Sequence, residues 1–170
     1  IKRTATIEFF SKEYPLFDDK AHIPITYQLG ELTHVDLVSN TLCRIDNVLN
    51  FRKAMDQGKI VLCNLTDGRL GPRNAEVLGA LILAYCQLGA MSRENIPERQ
   101  RRIWYLYVDE FQKYTGATNI SFDEILARAR KYGMPLILAH QNTHQIGSLV
   151  DQIFGTTSTI IGFGVSAKDG

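Results

Sequence analysis

Cysteine is scarce in this 170-residue sequence and odd in number: Cys43, Cys63 and Cys86 stand far apart, with no pair at metal-ligand spacing. That argues against a disulfide framework or a structural zinc site. Two of the thiols lie in apolar surroundings and read as small buried side chains in a reducing compartment. An excess of either charge is also missing, since 19 basic against 18 acidic residues leave a net charge of +1 and a pI near 7.9. No global basic field exists, so any contact with nucleic acid must come from local loops or from a ring of subunits. Long apolar runs are absent too. The most apolar stretch, Leu78 to Met91, is interrupted by Gln87 and falls short of the roughly 18 to 20 residues that a membrane span requires. No signal peptide opens the chain, and Ile1-Lys2-Arg3 stands where an initiator Met would be, which points to a piece of a longer protein. There is no internal repeat or low-complexity tract.

One absence matters most. No GxxxxGK(S/T) loop occurs: the Gly58-Lys59 pair is followed by Ile60, and Lys53 stands five residues before Gly58. Without it the chain has no backbone cradle for phosphates, no lysine for the β and γ groups and no hydroxyl for Mg²⁺, so alone it is not expected to hydrolyse ATP.

What is present is the composition of a soluble globular protein, 45% hydrophobic and 22% charged, long enough for one substantial core. The organising stretch is Ile103 to Gln112, in which six apolar or aromatic residues run into Asp109 and Glu110. Such a run predicts a strand buried on both faces, as in a parallel α/β sheet, where ligands gather beyond the carboxyl ends of the strands. Two carboxylates delivered there cost several kcal/mol unless a cation or hydrogen bonds compensate. A metal-bound phosphate would do so, the first acid holding Mg²⁺ directly or through water and the second orienting the attacking water. An ordinary acidic turn is the competing reading.

Around this stretch the pattern predicts a peripheral, partly helical segment over residues 1–48, with weak helical periodicity from Ala5 to Tyr14 and a helix over Leu32 to Leu42. Asn50 can cap a short helix ended by Gly58. Lys59 to Leu65 reads as a buried strand, closed by the turn Thr66 to Gly71. Pro72 opens a helix to about Ala90, whose Leu78, Leu81, Ile82 and Tyr85 form one stripe. Ser92 to Arg102 is a charged loop with four arginines. A Ser121-x-x-Glu124 capping box starts a helix stopped by Gly133 and Pro135. Leu136 to His140 and Thr159 to Phe163 complete the strands. Strands alternating with helices predict parallel βαβ units.

In that topology Asn64 to Gly71, Asp109 to Gln112 and His140 to Thr143 converge. Gln141 then acquires a possible role in donating to a γ-phosphate or holding water, against a plain loop glutamine solvated by water. Arg128 and Arg130, at a helix end, read either as cations complementing the helix dipole or as an arginine finger acting on a neighbouring subunit. His140 and His144 lack a third ligand for zinc, and Ser148 and the cysteines lack an adjacent base. The arginines at 99, 101 and 102 could touch phosphates, with a solvated charged loop as the default.

Five short motifs follow in order: Leu49 to Leu65, Gly68-Arg69-Leu70-Gly71, Tyr-Leu-Tyr-Val-Asp-Glu-Phe-Gln at 105–112, Ala-Arg-Lys-Tyr-Gly at 129–133 and Leu-Ala-His-Gln at 138–141. Together they resemble the C-terminal half of a HerA/FtsK-type ATPase domain, in particular the coupling-protein-like DNA-transfer ATPases of type IV secretion and conjugation. The resemblance covers residues 49–170, and residues 1–48 fit only loosely. It implies an α/β fold, a RecA-like P-loop NTPase core with a mostly parallel sheet, here incomplete, with the phosphate loop expected before Ile1 and the chain stopping early at Lys168-Asp169-Gly170. It further implies ATP and Mg²⁺ as cofactors, with Asp109 as the Mg²⁺ acid, Glu110 as catalytic glutamate, Gln141 as phosphate sensor and Arg130 acting across the subunit boundary, Arg128 being the fallback. The implied partners are DNA, single- or double-stranded, further copies in a hexameric ring, and secretion or relaxosome proteins, at the cytoplasmic face of a membrane. Two alternatives stand beside it: a non-catalytic interaction scaffold derived from such a domain, and a related ATPase that moves protein.

Overall fold

The computed structural model describes residues 2–18, 20, 22–46, 48–115, 125–126 and 128–164. The expected capping box at Ser121 and Glu124 and the terminal Lys168-Asp169-Gly170 lie outside them. The chain forms two compact units, residues 1–44 and 45–170.

The first unit is helical. Helix α1 (Lys2–Glu8) runs into a π-helical turn, Phe9–Glu13, and Phe9, Phe10, Tyr14 and Phe17 form a ring cluster with centroids 5.2 to 6.4 Å apart. Pro24 starts helix α2 (Ile23–Thr33) instead of breaking one, because its missing N–H falls among donors that have no intrahelical partner. The single helix expected over Leu32 to Leu42 is split. Val35 takes an extended conformation (ψ 112°), ending α2 before α3 (Asp36–Leu42) begins.

In the second unit, Asn50 accepts from Lys53 N at 2.9 Å and caps α4 (Phe51–Gln57), and Gly58 ends it at φ 64°. A left-handed residue there costs glycine little. Thr66 precedes the single turn α5 (Asp67–Leu70), and Pro72 opens the 20-residue helix α6 (Pro72–Met91). Helix α6 is long and apolar enough to cross a membrane by length and composition alone. Its buried side is nonetheless packed: Ala75, Gly79, Leu83, Cys86 and Ala90 lie at helical spacing and are covered, whereas Tyr85 of the expected stripe is 55% exposed. Leucines on several sides leave the apolar pattern ambiguous; the small residues decide which side neighbours can approach. A Cβ on Gly79 would lie 2.3 Å from the Tyr114 ring.

Strands β1 (Leu106–Val108) and β2 (Leu136–Leu138) pair in parallel, Leu106 opposite Leu136 and Val108 opposite Leu138. The core gathers Phe51, Met55, Leu83, Cys86, Val108, Phe111, Ile125 and Met134 between these strands and helices α4 and α6. The mixed helical and parallel-strand architecture is compatible with the α/β class.

Two expected strands do not join this sheet. Lys59 to Leu65 is not laddered to β1, and Ile60 and Leu62 are about nine-tenths exposed. Trp104 Nε1 donates to Lys59 O at 2.8 Å, holding the start of the segment beside β1, and a cavity of about 1250 Å³ separates the rest from that strand. Cys63, expected to be buried, is exposed for the same reason. Thr159 to Phe163 is likewise unladdered and exposed. β-branched residues favour a pleated surface, but a strand also needs a partner edge for its N–H and C=O groups, and propensity does not supply one.

Candidate functional site

The site is built where β1 leaves the sheet. Val108 O accepts from Ala139 N at 3.0 Å, so a regular parallel ladder would next bring residue 110 N to Ala139 O. Phe111 N takes that place instead, at 3.2 Å. One extra residue is accommodated, in the manner of a bulge. Phe111 is fully buried and its ring meets His140 edge-on at 5.7 Å, which anchors the far side of the bulge. The conformational cost falls on Glu110, the one non-glycine residue with positive φ among those described, at φ 46° and ψ 46°. Left-handed backbone costs an L-residue about 1–2 kcal/mol, and strained residues of this kind concentrate at functional sites.

That backbone turn brings three loops together. Gln141 Nε2 donates to Glu110 Oε1 at 2.6 Å, joining the turns after the two strands. Glu110 Oε2 lies 2.6 Å from Lys113 Nζ, and the same ammonium donates to Asp67 Oδ2 at 3.2 Å, drawing in the turn before α6. The two carboxylates raise the Lys113 pKa, Glu110 the more and Asp67 the less. Asp109 is exposed, and its Oδ1 accepts the Glu110 N–H at 3.0 Å. Tyr114, one residue beyond Lys113, packs over Gly79, and burial pushes its phenol above the ordinary value.

Among the described residues no three His, Cys, Asp or Glu side chains cluster as metal ligands. What Asp109 offers is a single carboxylate with room beside it. That suits Mg²⁺ held by one protein acid, water and substrate phosphates, and does not suit a cation caged by protein alone.

Arg130 lies elsewhere. It is exposed in the 3₁₀ turn Ala129–Tyr132, which Gly133 ends at φ 75° just before β2 begins. Arg130 and Arg128 therefore sit at the amino end of the parallel strands, opposite the end that carries Asp109, Glu110 and Gln141. Within one chain they are not brought to the acids.

That amino end is pinned by two inward-turned arginines of the charged loop 92–102, of which Arg101 was expected to be solvated. Arg93, fully buried, donates to Tyr132 O at 3.0 Å and Arg102 O at 2.5 Å. Its Nε is 3.1 Å from Asp56 Oδ1 but off the hydrogen-bond line, so that contact is Coulombic. Burial lowers the guanidinium pKa and Asp56 opposes the shift. Arg101 donates to Ile96 O at 2.9 Å and Lys131 O at 2.5 Å and lies 5.3 Å from the Tyr132 ring. Four arginines close to a strand start, with glycine and aromatic residues at 132–133, were the available signal. Lys113 was the other residue missed, because its two partners lie three and 46 positions away.

A family model described as the type IV secretion-system coupling protein DNA-binding domain matches residues 57–163, well over half of the chain and every residue of the strand-end site. No curated protein and no solved structure matches.

Proposed function

Since the chain belongs to the family of type IV secretion-system coupling protein DNA-binding domains, we propose that it is part of a ring-forming, ATP-driven DNA translocase of the conjugation and secretion type. Family membership supports DNA as a partner. The assignment of roles rests on one observation, the 2.6 Å contact from the Gln141 amide to a Glu110 carboxylate carried on left-handed backbone at the end of a parallel strand.

In this reading Glu110 orients and deprotonates water, Gln141 senses the γ-phosphate, and Asp109 holds the cation directly or through water. Bound Mg²⁺ with ATP would supply charge neutralisation on the phosphates. These residues carry no phosphate loop, and this reading requires the full-length protein to supply one. Arg130, at the far end of the strands, serves the site of a neighbouring copy in a ring of six. That role agrees with its separation from the acids of its own chain. The site of action is the cytoplasmic face of a membrane, with secretion or relaxosome proteins as further partners. Cargo contact would make binding fall steeply with salt.

The test is Glu110→Gln in the full-length protein. Nucleotide binding is expected to persist while DNA-stimulated turnover is abolished; turnover near the parent level refutes the role. A second reading, a scaffold without catalysis, is favoured by the fact that both Glu110 oxygens already hold a partner. It requires that Asp109→Asn and Glu110→Gln leave DNA transfer unchanged.

A further inference from the structure

Lys113 stands out because nothing in the roles above uses it, yet it touches the residue on which they depend. Its ammonium lies between Glu110 Oε2 at 2.6 Å and Asp67 Oδ2 at 3.2 Å. The other Glu110 oxygen holds the Gln141 amide. Each carboxylate oxygen carries two lone pairs, so one donor apiece does not saturate Glu110; what opposes a metal there is the charge of the donor on Oε2. Lys113 supplies the stronger of the two, a full positive charge at the place where a divalent cation would bring its own.

We propose that Lys113 is a built-in counter-cation that latches Glu110 to Asp67, so that a divalent cation held at Asp109 engages Glu110 only by displacing it. The inference rests on the reading of Asp109 as the acid that holds the cation and Glu110 as the catalytic acid beside it, and it adds a means of holding Glu110 closed. Both legs are needed for a latch. The Asp67 leg ties the ammonium to the turn before α6, 46 residues away, so displacement of that turn would loosen the hold on Glu110. The ion pairs are partly exposed, with side chains 30 to 44% accessible, so the latch is weak enough to open.

The experiment uses the 170-residue chain with Mn²⁺ alone as the probe, its binding read by paramagnetic broadening of the Asp109 and Glu110 amide signals. Lys113→Met is expected to tighten Mn²⁺ binding by roughly two- to fivefold, the range set by a surface ion pair, and Lys113→Arg to restore the parent affinity. In a Glu110→Gln background the gain from Lys113→Met should vanish, because the latch acts through that carboxylate. Unchanged affinity in Lys113→Met, an equal gain in the Glu110→Gln background, or no broadening at these amides in any variant overturns the latch. The parent reading fails separately, on turnover by the full-length Glu110→Gln protein. An unchanged urea midpoint confirms that Lys113→Met, at a partly exposed position, folds as the parent does.

Discussion

Replacing Arg93 by methionine tests whether the amino end of the sheet is held by one buried charge. The guanidinium is fully buried and joins three segments: α4 through Asp56, the end of its own loop through Arg102 O, and the turn before β2 through Tyr132 O. Methionine fills much of the volume but offers no donor. Three hydrogen bonds are lost, a long one to Gly133 O at 3.5 Å and two short charge-assisted ones worth about 1.5–3 kcal/mol each, and the carbonyls of Tyr132 and Arg102 are left to find water. Gly133 O keeps its bond from Trp104 N at 2.9 Å, and Asp56 keeps Arg52 at 2.6 Å, so neither is orphaned. Recovering the desolvation of the guanidinium offsets part of the loss, leaving about 3 kcal/mol, at the low end of what breaking a buried pair costs. Against a total stability of about 5–15 kcal/mol, that is a large fraction. Urea unfolding followed by the fluorescence of Trp104, which lies beside this region, should show a lower midpoint at an unchanged slope. A loss below about 1 kcal/mol would refute the reasoning, since the carbonyls would then be satisfied without Arg93.

Two further outcomes follow from packing and titration. Gly79→Ala adds helix propensity worth about 1 kcal/mol, but its methyl would meet the Tyr114 ring at 2.3 Å and Leu65 Cδ1 at 3.1 Å; overpacking of about 1–3 kcal/mol should win. Heteronuclear NMR should then show shifts at Lys113 and Glu110, and a stabilised protein with an unmoved site would contradict the packing. Burial pushes the Cys86 thiol up to about 12; Cys43 and Cys63 are both exposed, but neighbouring protein still partly desolvates the Cys63 thiol and raises it. A raised pKa means less thiolate at any pH below it, so near pH 8 a disulfide reagent should modify Cys43 fast, Cys63 more slowly and Cys86 only on unfolding. Equal rates for all three would contradict the burial.

Local chemistry was legible wherever a residue's own conformation is at stake. The Asn50 cap, the left-handed Gly58, Gly133 as a stop and Pro72 at a helix start follow from short-range sterics and hydrogen bonding, and the structure carries each of them. The two short strands and the meeting of the turns after them follow from parallel topology, although Tyr107, 70% exposed, shows that β1 is not buried on both faces; the turn at 66–71 joins them through Lys113 and Asp67 and not as the end of a third strand. Of the stripe on α6, Leu78 is buried and Ile82 packs against the core, while Tyr85 at its end is exposed, because an apolar spacing does not say how far along the helix its neighbours reach.

The residues alone determined that an acid pair would emerge from an apolar run, and that no phosphate loop occurs within these 170 residues. Both are matters of covalent order and short spacing. Only the tertiary structure decided that Phe111 takes the ladder position of Glu110 and turns that acid left-handed, that Lys113 spans 46 residues to hold it, and that Arg93 faces inward. Those outcomes depend on which backbone and side-chain groups come within a few ångströms once the core closes, and no periodicity in the chain encodes that distance.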